Sequence, residues 1–164
     1  MAIDYFLKLD GIDGESEDQN HKNWIDVVSF GWSATQPGTF AQGQGGTAGK
    51  VSMSDLNFQM HTSKATPALM KACASGTHIS KATLVCRKAT GDGGQQDYIT
   101  WTLEPVVVSF YQSGGSSGSE TTIDSVSLNY GSIKYEYKVQ TDTKGTLAAL
   151  PAFGWDLTKN AEKK

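Results

Sequence analysis

Thr66-Pro67-Ala68-Leu69-Met70-Lys71-Ala72-Cys73-Ala74-Ser75-Gly76 is the one stretch of this chain that spells out a complete helix, and everything around it reads as strands and turns. The Thr66 hydroxyl is placed to cap the first turn. Pro67 suits the first helical position because its missing N–H would be unbonded there, and Gly76 suits the left-handed residue that ends a helix. Leu69, Met70 and Cys73, with Ala72 beside them, form a narrow apolar stripe. A helix this short is marginal in water on its own, so it is expected to be docked, with that stripe covering an opening or the flank of a sheet.

Working outward, Ile3, Tyr5, Leu7 and Leu9 alternate with Asp4, Phe6 and Lys8 as a first strand, which an acidic loop from Asp10 to Asn20 ends. Trp24 to Thr35 reads as a second strand, with Val28, Phe30 and Trp32 on one face and Val27, Ser29, Gly31 and Ser33 on the other. Beyond Val27 that second face is small and polar, so it is expected to be wetted rather than packed. Gln36 to Gly49 is a glycine-rich connection far longer than a hairpin needs, with Phe40 in its middle. Val51 to Thr62 returns as a strand whose alternation slips at Ser54-Asp55, the mark of a bulge.

On the other side of the helix, Ser80 to Lys88 and Asp97 to Tyr111 flank a turn at 91–94, and Ile123 to Val139 is a further long strand or tight pair broken at Gly131. Pro105 cannot donate to a ladder and belongs at an edge or a bend. Gln112 to Ser119 reads as a Gly/Ser tether, Thr141 to Pro151 as loose, and Phe153 to Asn160 as a last strand. The residues from about 160 to 164 read as a frayed tail. This rhythm predicts a mainly β fold, an antiparallel β-barrel or two packed sheets, with one short flanking α-helix at about 66–75 and an extended Gly-rich loop. A single domain over residues 1–164 is expected.

The 164 residues are 38% hydrophobic with a formal net charge of −3, and the basic residues are scattered. That pattern leaves no electrostatic footprint for nucleic acid or an anionic membrane. No apolar run approaches a membrane span, and Met1-Ala-Ile-Asp-Tyr has no basic segment before an apolar one, so folding in the cytoplasm without a signal peptide is expected. Cys73 and Cys86, one on the helix and one in an alternating strand, are expected as buried free thiols.

Motifs that would carry catalysis or cofactor binding lack their context. Gly43-Gln-Gly45-Gly-Thr-Ala48 has the letters of a dinucleotide fingerprint, but a strand follows it where a helix is required. A phosphate-loop reading puts Gln44 at the first glycine and Val51 at the metal-binding hydroxyl. Gly114-Gly-Ser116-Ser-Gly118 matches a nucleophile elbow but lies in the tether with no helix after it. His21, His61 and His78 have no ligand spacing among them, and Asp13, Glu15, Glu17 and Asp18 lack the bidentate glutamate of a calcium loop, so a solvated acidic turn is the expectation there. No enzyme, cofactor or metal is expected.

The order of pieces resembles a known family, the haemolysin-coregulated proteins, Hcp, tube subunits of bacterial type VI secretion. The resemblance covers nearly the whole chain. It is carried by Met1-Ala-Ile-Asp-Tyr-Phe-Leu-Lys-Leu9, Gly14-Glu-Ser16, Trp24-Ile-Asp-Val-Val-Ser-Phe-Gly-Trp32, Gly49-Lys-Val51 and Asp55-Leu-Asn-Phe58. It continues through the helix stretch, Lys81-Ala-Thr-Leu-Val-Cys-Arg-Lys88, Val126-Ser-Leu-Asn-Tyr130 and Gly154-Trp-Asp-Leu157.

The resemblance implies six copies in a ring and rings stacked into a tube that a contractile sheath expels with effectors in its lumen. It implies self, sheath, spike and effector proteins as partners, and secretion to the medium or a target cell. Ser29, Gly31 and Ser33 then resemble a lumen lining. The residues Gly38, Thr39, Phe40, Gln42, Gly43, Gln44, Gly45, Gly46 and Gly49 resemble the family's extended loop toward neighbouring subunits, and Lys71 is expected at a seam between subunits. The alternatives are a monomeric β-barrel that binds a ligand or glycan, and a phage tail-tube-like protein of related architecture. A hydrolase using Ser116 is a third, more distant one.

Overall fold

Strict alternation of apolar and polar residues makes a strand wherever one face of a sheet is buried and the other is not. In the computed structural model, which describes residues 3–42, 49–90 and 94–163, that alternation governs most of the chain. The strands are β1 (Ile3–Leu9), β2 (Ile25–Val27), β3 (Ser29–Gly31), β4 (Ala34–Thr35), β5 (Ser52–Met53) and β6 (Leu56–His61), then β7 (His78–Ile79) and β8 (Ala82–Thr90). They continue with β9 (Gly94–Gly114), β10 (Ile123–Gln140), β11 (Leu147–Ala149), β12 (Phe153–Asp156) and β13 (Ala161–Glu162). One α-helix, α1 (Ala65–Ser75), lies between β6 and β7.

The main sheet runs β13-β12-β10-β9-β8-β1-β2, with β6 and β11 also on β10, β3 on β6 and β7 on β9; β4 and β5 pair apart from it as a two-stranded ribbon. The pairings are antiparallel. The long strands β9 and β10 form the spine, and the first half of β10 has β9 on one side and β6 on the other. Leu56, Met60, Leu69, Val106, Leu128 and Ile133 are completely buried at the centre of the core that these strands enclose. The expected barrel is thus a sheet wrapped around one core, without an unbroken ladder that closes it on itself.

The interruption falls within the stretch read as one second strand. Ile25 and Val27 are buried, Val28 is 46% exposed, and Phe30 and Trp32 pack against the core, so the inward phase changes between Val27 and Phe30. The Val28 N–H leaves β1 and donates to the Gln59 carbonyl at 2.7 Å, passing the chain from the β1 edge to the β6 edge. The expectation that Val28 shares a face with Phe30 is therefore corrected. The slip expected at Ser54-Asp55 is where the chain leaves the β4–β5 ribbon and enters β6.

Helix α1 docks on the sheet through Ala65 and Leu69, both fully buried, and Ala72. Gly76 takes the left-handed conformation at φ 65, as read from the sequence. Two details differ. Met70 is 44% exposed, because it lies one residue, about 100° around the helix, from Leu69. Thr66 is not the cap: its hydroxyl donates to the Asp124 carboxylate at 2.7 Å, while the Ser63 hydroxyl accepts the Ala65 N–H at 3.2 Å.

Pro105 lies in β9 where the neighbouring strand changes from β7, paired at Val106, to β8, paired at Leu103. Gly131 stands across from it, and a Cβ there would run into the proline ring; β10 nevertheless runs through this glycine as one strand, so the break expected there is corrected. Thr141 to Pro151 is not loose, since β11 pairs with β10. As far as Lys163 the tail is docked rather than frayed: β13 pairs with β12, and the Lys163 N–H donates to the Gly154 carbonyl at 2.9 Å. Most of the turn expected at 91–94 lies outside the described residues.

Candidate functional site

The feature most unlike a plain scaffold is the outer face of the sheet formed by β3, β6, β10 and the second half of β9. Register places Ser29, Gln59, Ser125 and Gln112 in one row across the four strands, and Gly31, Asn57, Ser127 and Phe110 in the next. The inward neighbours of these residues, such as Phe58, Met60, Val126 and Leu128, are buried, so alternation forces the small polar set outward. The rows are knitted by hydrogen bonds: the Ser29 hydroxyl donates to Gln59 Oε1 at 3.2 Å, and that of Ser127 to Asn57 Oδ1 at 2.5 Å. At the end of this face the Asp55 carboxylate accepts from the Ser109 hydroxyl at 2.5 Å and from Asn129 Nδ2 at 2.8 Å.

A shallow groove of about 310 Å³ follows these rows. Gly31 opens it, because nothing lies within 4 Å of where a Cβ would stand. Phe110 reaches the same face through a bulge. Ser127 pairs with Phe110 while Leu128 pairs with Val108, leaving Ser109 as an extra residue on β9. Without it, Phe110 would continue the inward set of Val106 and Val108; with it, the ring is 48% exposed.

Ser29 and Gly31 thus lie together on this face. Ser33 does not join the groove: its backbone pairs with Ser54, through its N–H to the Ser54 hydroxyl and its carbonyl from the Ser54 N–H. Gly38, Thr39 and Phe40 lie beyond the β4–β5 ribbon, and Phe40 is 89% exposed. Gly49 meets the Pro37 ring where the two arms of the loop come together, and a Cβ would not fit there. Gln42 ends a short 3-10 turn, while Gly43, Gln44, Gly45 and Gly46 lie outside the described residues. Lys71 is exposed on α1 and borders a surface depression with Asp10, Ile12 and His78.

Reading the sequence missed Asn57, Gln59, Ser125 and Ser127, although each shows the signal used for Ser29 and Gly31, a small or polar residue alternating with buried apolar ones. It also missed two buried charged clusters. Asp124, fully buried, accepts hydrogen bonds from Thr66 Oγ1 at 2.7 Å and Tyr111 OH at 2.6 Å, tying α1 to β9 and β10. Burial pushes its carboxyl up, but the hydroxyls of Tyr111, Thr66, Ser113 and Thr62 outweigh that and hold it below the usual carboxylate range. Burial and the bond to Asp124 push the Tyr111 phenol up to about 12.

The second cluster corrects the solvated acidic turn at Asp18 alone, since Asp13, Glu15 and Glu17 are exposed. Asp18 is ion-paired with the buried Arg87 and hydrogen-bonded to His21 Nδ1 at 2.9 Å, and His21 Nε2 reaches Asp97 Oδ2 at 3.0 Å. A second bulge, which leaves Tyr98 unpaired, is what sets Arg87 opposite Asp97. Phe6 stacks on the His21 ring with centroids 4.6 Å apart, so the loop is clamped over β1 and β8. Burial raises the Asp18 carboxyl, but the bonds from His21, the Asn20 backbone and Arg87 outweigh that and leave it below the ordinary value. Its stabilising contribution is therefore present above the unfolded carboxylate pKa and lost as pH falls through the depressed one. Asp18→Asn is expected to cost about 1–3 kcal/mol at pH 7, since hydrogen bonds to a charged group are lost. The cost should shrink on acidification; thermal melts from pH 7 to pH 3 check it.

Among the described residues, no group of three or more His, Cys, Asp or Glu side chains converges as a metal cage, and no helix is long and apolar enough to cross a membrane. Ser116 bonds to Ser119 in an exposed turn with no helix behind it. Cys73 and Cys86 are free thiols; Cys86 is buried and Cys73 only partly so.

This β-rich architecture with one docked helix is that of type VI secretion system proteins. The chain matches a solved structure described as a type six secretion system protein with a TM-score of 0.91, at 32% identity, covering 99% of this chain and 100% of that one. It also matches the crystal structure of Hcp1 from Salmonella typhimurium, with a TM-score of 0.81, 38% identity, and 99% and 100% of the two chains covered. Protein hcp1 of Pseudomonas aeruginosa is 38% identical over 162 residues, 99% of each chain. The family described as type VI secretion system effector, Hcp, matches residues 6–137, and the chain belongs to that family. Hcp proteins are secreted structural components that work with other parts of the type VI system.

Proposed function

We propose that this chain is a tube subunit: six copies close a ring through repeated head-to-tail contacts, and the rings stack into a tube that carries effectors and is expelled by a contractile sheath with its spike. The observation that carries this reading is the outer face of β3, β6, β10 and β9. It combines a continuous four-strand register, a mostly polar set of side chains and internal hydrogen bonds, which suits a wetted channel wall better than a dry interface. In the ring this face, including Ser29 and Gly31, lines the lumen, with Ser33 at its margin. Heterologous contacts close only when the rotation between copies does, so each subunit presents two different surfaces to its neighbours.

Exposed apolar side chains elsewhere, including Phe40 at 89%, Leu150 at 47% and Met70 at 44%, are the surface such contacts would cover. The loop from Gly38 to Gly49 reaches a neighbouring subunit or ring, and Lys71 on α1 lies at the seam. Purified protein is expected to show annuli in negative stain. Gold coupled to Ser125→Cys in a Cys73→Ser background should mark their centres. Protein that stays monomeric at high concentration, or gold on the outer rim, would overturn the proposal. In cells, deleting a sheath component should remove the protein from the medium.

A further inference from the structure

We infer that Phe110 and Asp55 together form a cargo-contact station on this face, one that selects passenger polypeptides presenting an apolar side chain beside a basic one. The inference rests on the lumen reading above and names the chemistry of what that lumen holds.

Three observations carry it. The bulge at Ser109 turns Phe110 out of the core, where alternation would have buried it, onto a face otherwise made of Ser, Gly, Asn and Gln. A lone exposed ring is ordinary on a protein surface, but this one borders a groove whose far end is kept open by Gly31, three strands away in the same row. The same extra residue, Ser109, also donates its hydroxyl to Asp55, which Asn129 holds from the other oxygen. One backbone irregularity therefore presents an aromatic ring and orients a carboxylate.

Charge decides the class of partner. The stretches 29–31, 55–61, 106–114 and 123–129 that build this face contain no lysine or arginine, and Asp124, the other acid in them, is buried inward. Asp55 is thus the acid these stretches offer to a ligand. Among the described residues its side-chain partners are the neutral donors Ser109 and Asn129 and it forms no salt bridge, so a cationic side chain is the complementary one. An apolar side chain in the groove covers Phe110 and removes apolar area from water. Repetition around a ring would multiply a weak single contact into a useful one.

The test uses the full chain as assembled rings and a defined probe, a fluorescent fifteen-residue peptide of alternating Leu and Arg pairs with Ser spacers. Control peptides replace Arg with Glu, or Leu with Ser. Anisotropy should report binding of the Leu/Arg peptide alone, weakened about tenfold by Phe110→Ser and several-fold by Asp55→Asn, the latter loss vanishing at high salt. Equal binding of the Glu peptide, or affinity untouched by both substitutions, would overturn the inference. Both variants change partly exposed side chains, and retention of the parent melting temperature and annuli confirms that the fold and ring persist. Failure of the lumen reading shows separately, as rim-located gold on Ser125→Cys, whereas failure of the station leaves gold central and the peptide unbound.

Discussion

Asp124→Ala is expected to be among the most damaging single substitutions in this protein, lowering folding stability by about 3–5 kcal/mol. The carboxylate is completely buried and is the common acceptor for Thr66 on α1 and Tyr111 on β9. Removing it leaves at least two hydroxyls in a dry site without their acceptor, and each orphaned donor keeps its full desolvation penalty. Asp124→Asn should be milder, because the amide oxygen still accepts from one of them. Urea melts at protein concentrations below ring assembly isolate the subunit's own stability from the mass-action contribution of its neighbours. The same carboxylate gives the acid limb its sign. Its folded pKa is depressed, so its contribution holds above the unfolded carboxylate value and disappears as pH falls through the depressed one. Asp124→Asn should therefore flatten the loss of stability on acidification.

The second large effect separates the two faces of α1. Leu69→Ala is expected to cost about 2–5 kcal/mol, since a fully buried leucine leaves both its transfer free energy and a cavity when truncated. Lys71→Glu, two residues away on the exposed side, is expected to leave the subunit's urea midpoint unchanged and to weaken ring assembly measured by sedimentation. A Leu69→Ala variant as stable as the parent would mean that the helix does not seal the core. A Lys71→Glu variant that assembles normally would remove the helix from the proposed seam.

Between them, these two substitutions show what could be read one residue at a time. The stop at Gly76, the burial of Leu69 and the small polar outer set at Ser29 and Gly31 are all local patterns, because helix ends and strand alternation repeat within a few residues. Thr66 looks like a cap by local pattern, but the acceptor of its hydroxyl lies 58 residues away in sequence, and no local rule connects them. Met70 belongs to the apolar stripe by sequence yet is exposed, because a stripe this narrow leaves the direction of docking open. Asp18 read as a solvated turn because Arg87, its ion-pair partner, becomes its neighbour only when β8 pairs with β1.

Local pattern alone specifies an antiparallel β-protein with one docked helix, and the ordered motifs point to the Hcp family across nearly the whole length. Periodicity and turn chemistry are local, so they survive without coordinates. Long-range strand pairing sets which polar residues share a surface, where the phase of β2 and β3 changes at Val28, and that an extra residue at Ser109 turns Phe110 outward. Each of those depends on register between distant strands, and a shift of one residue moves a side chain from the core to the solvent side of the sheet.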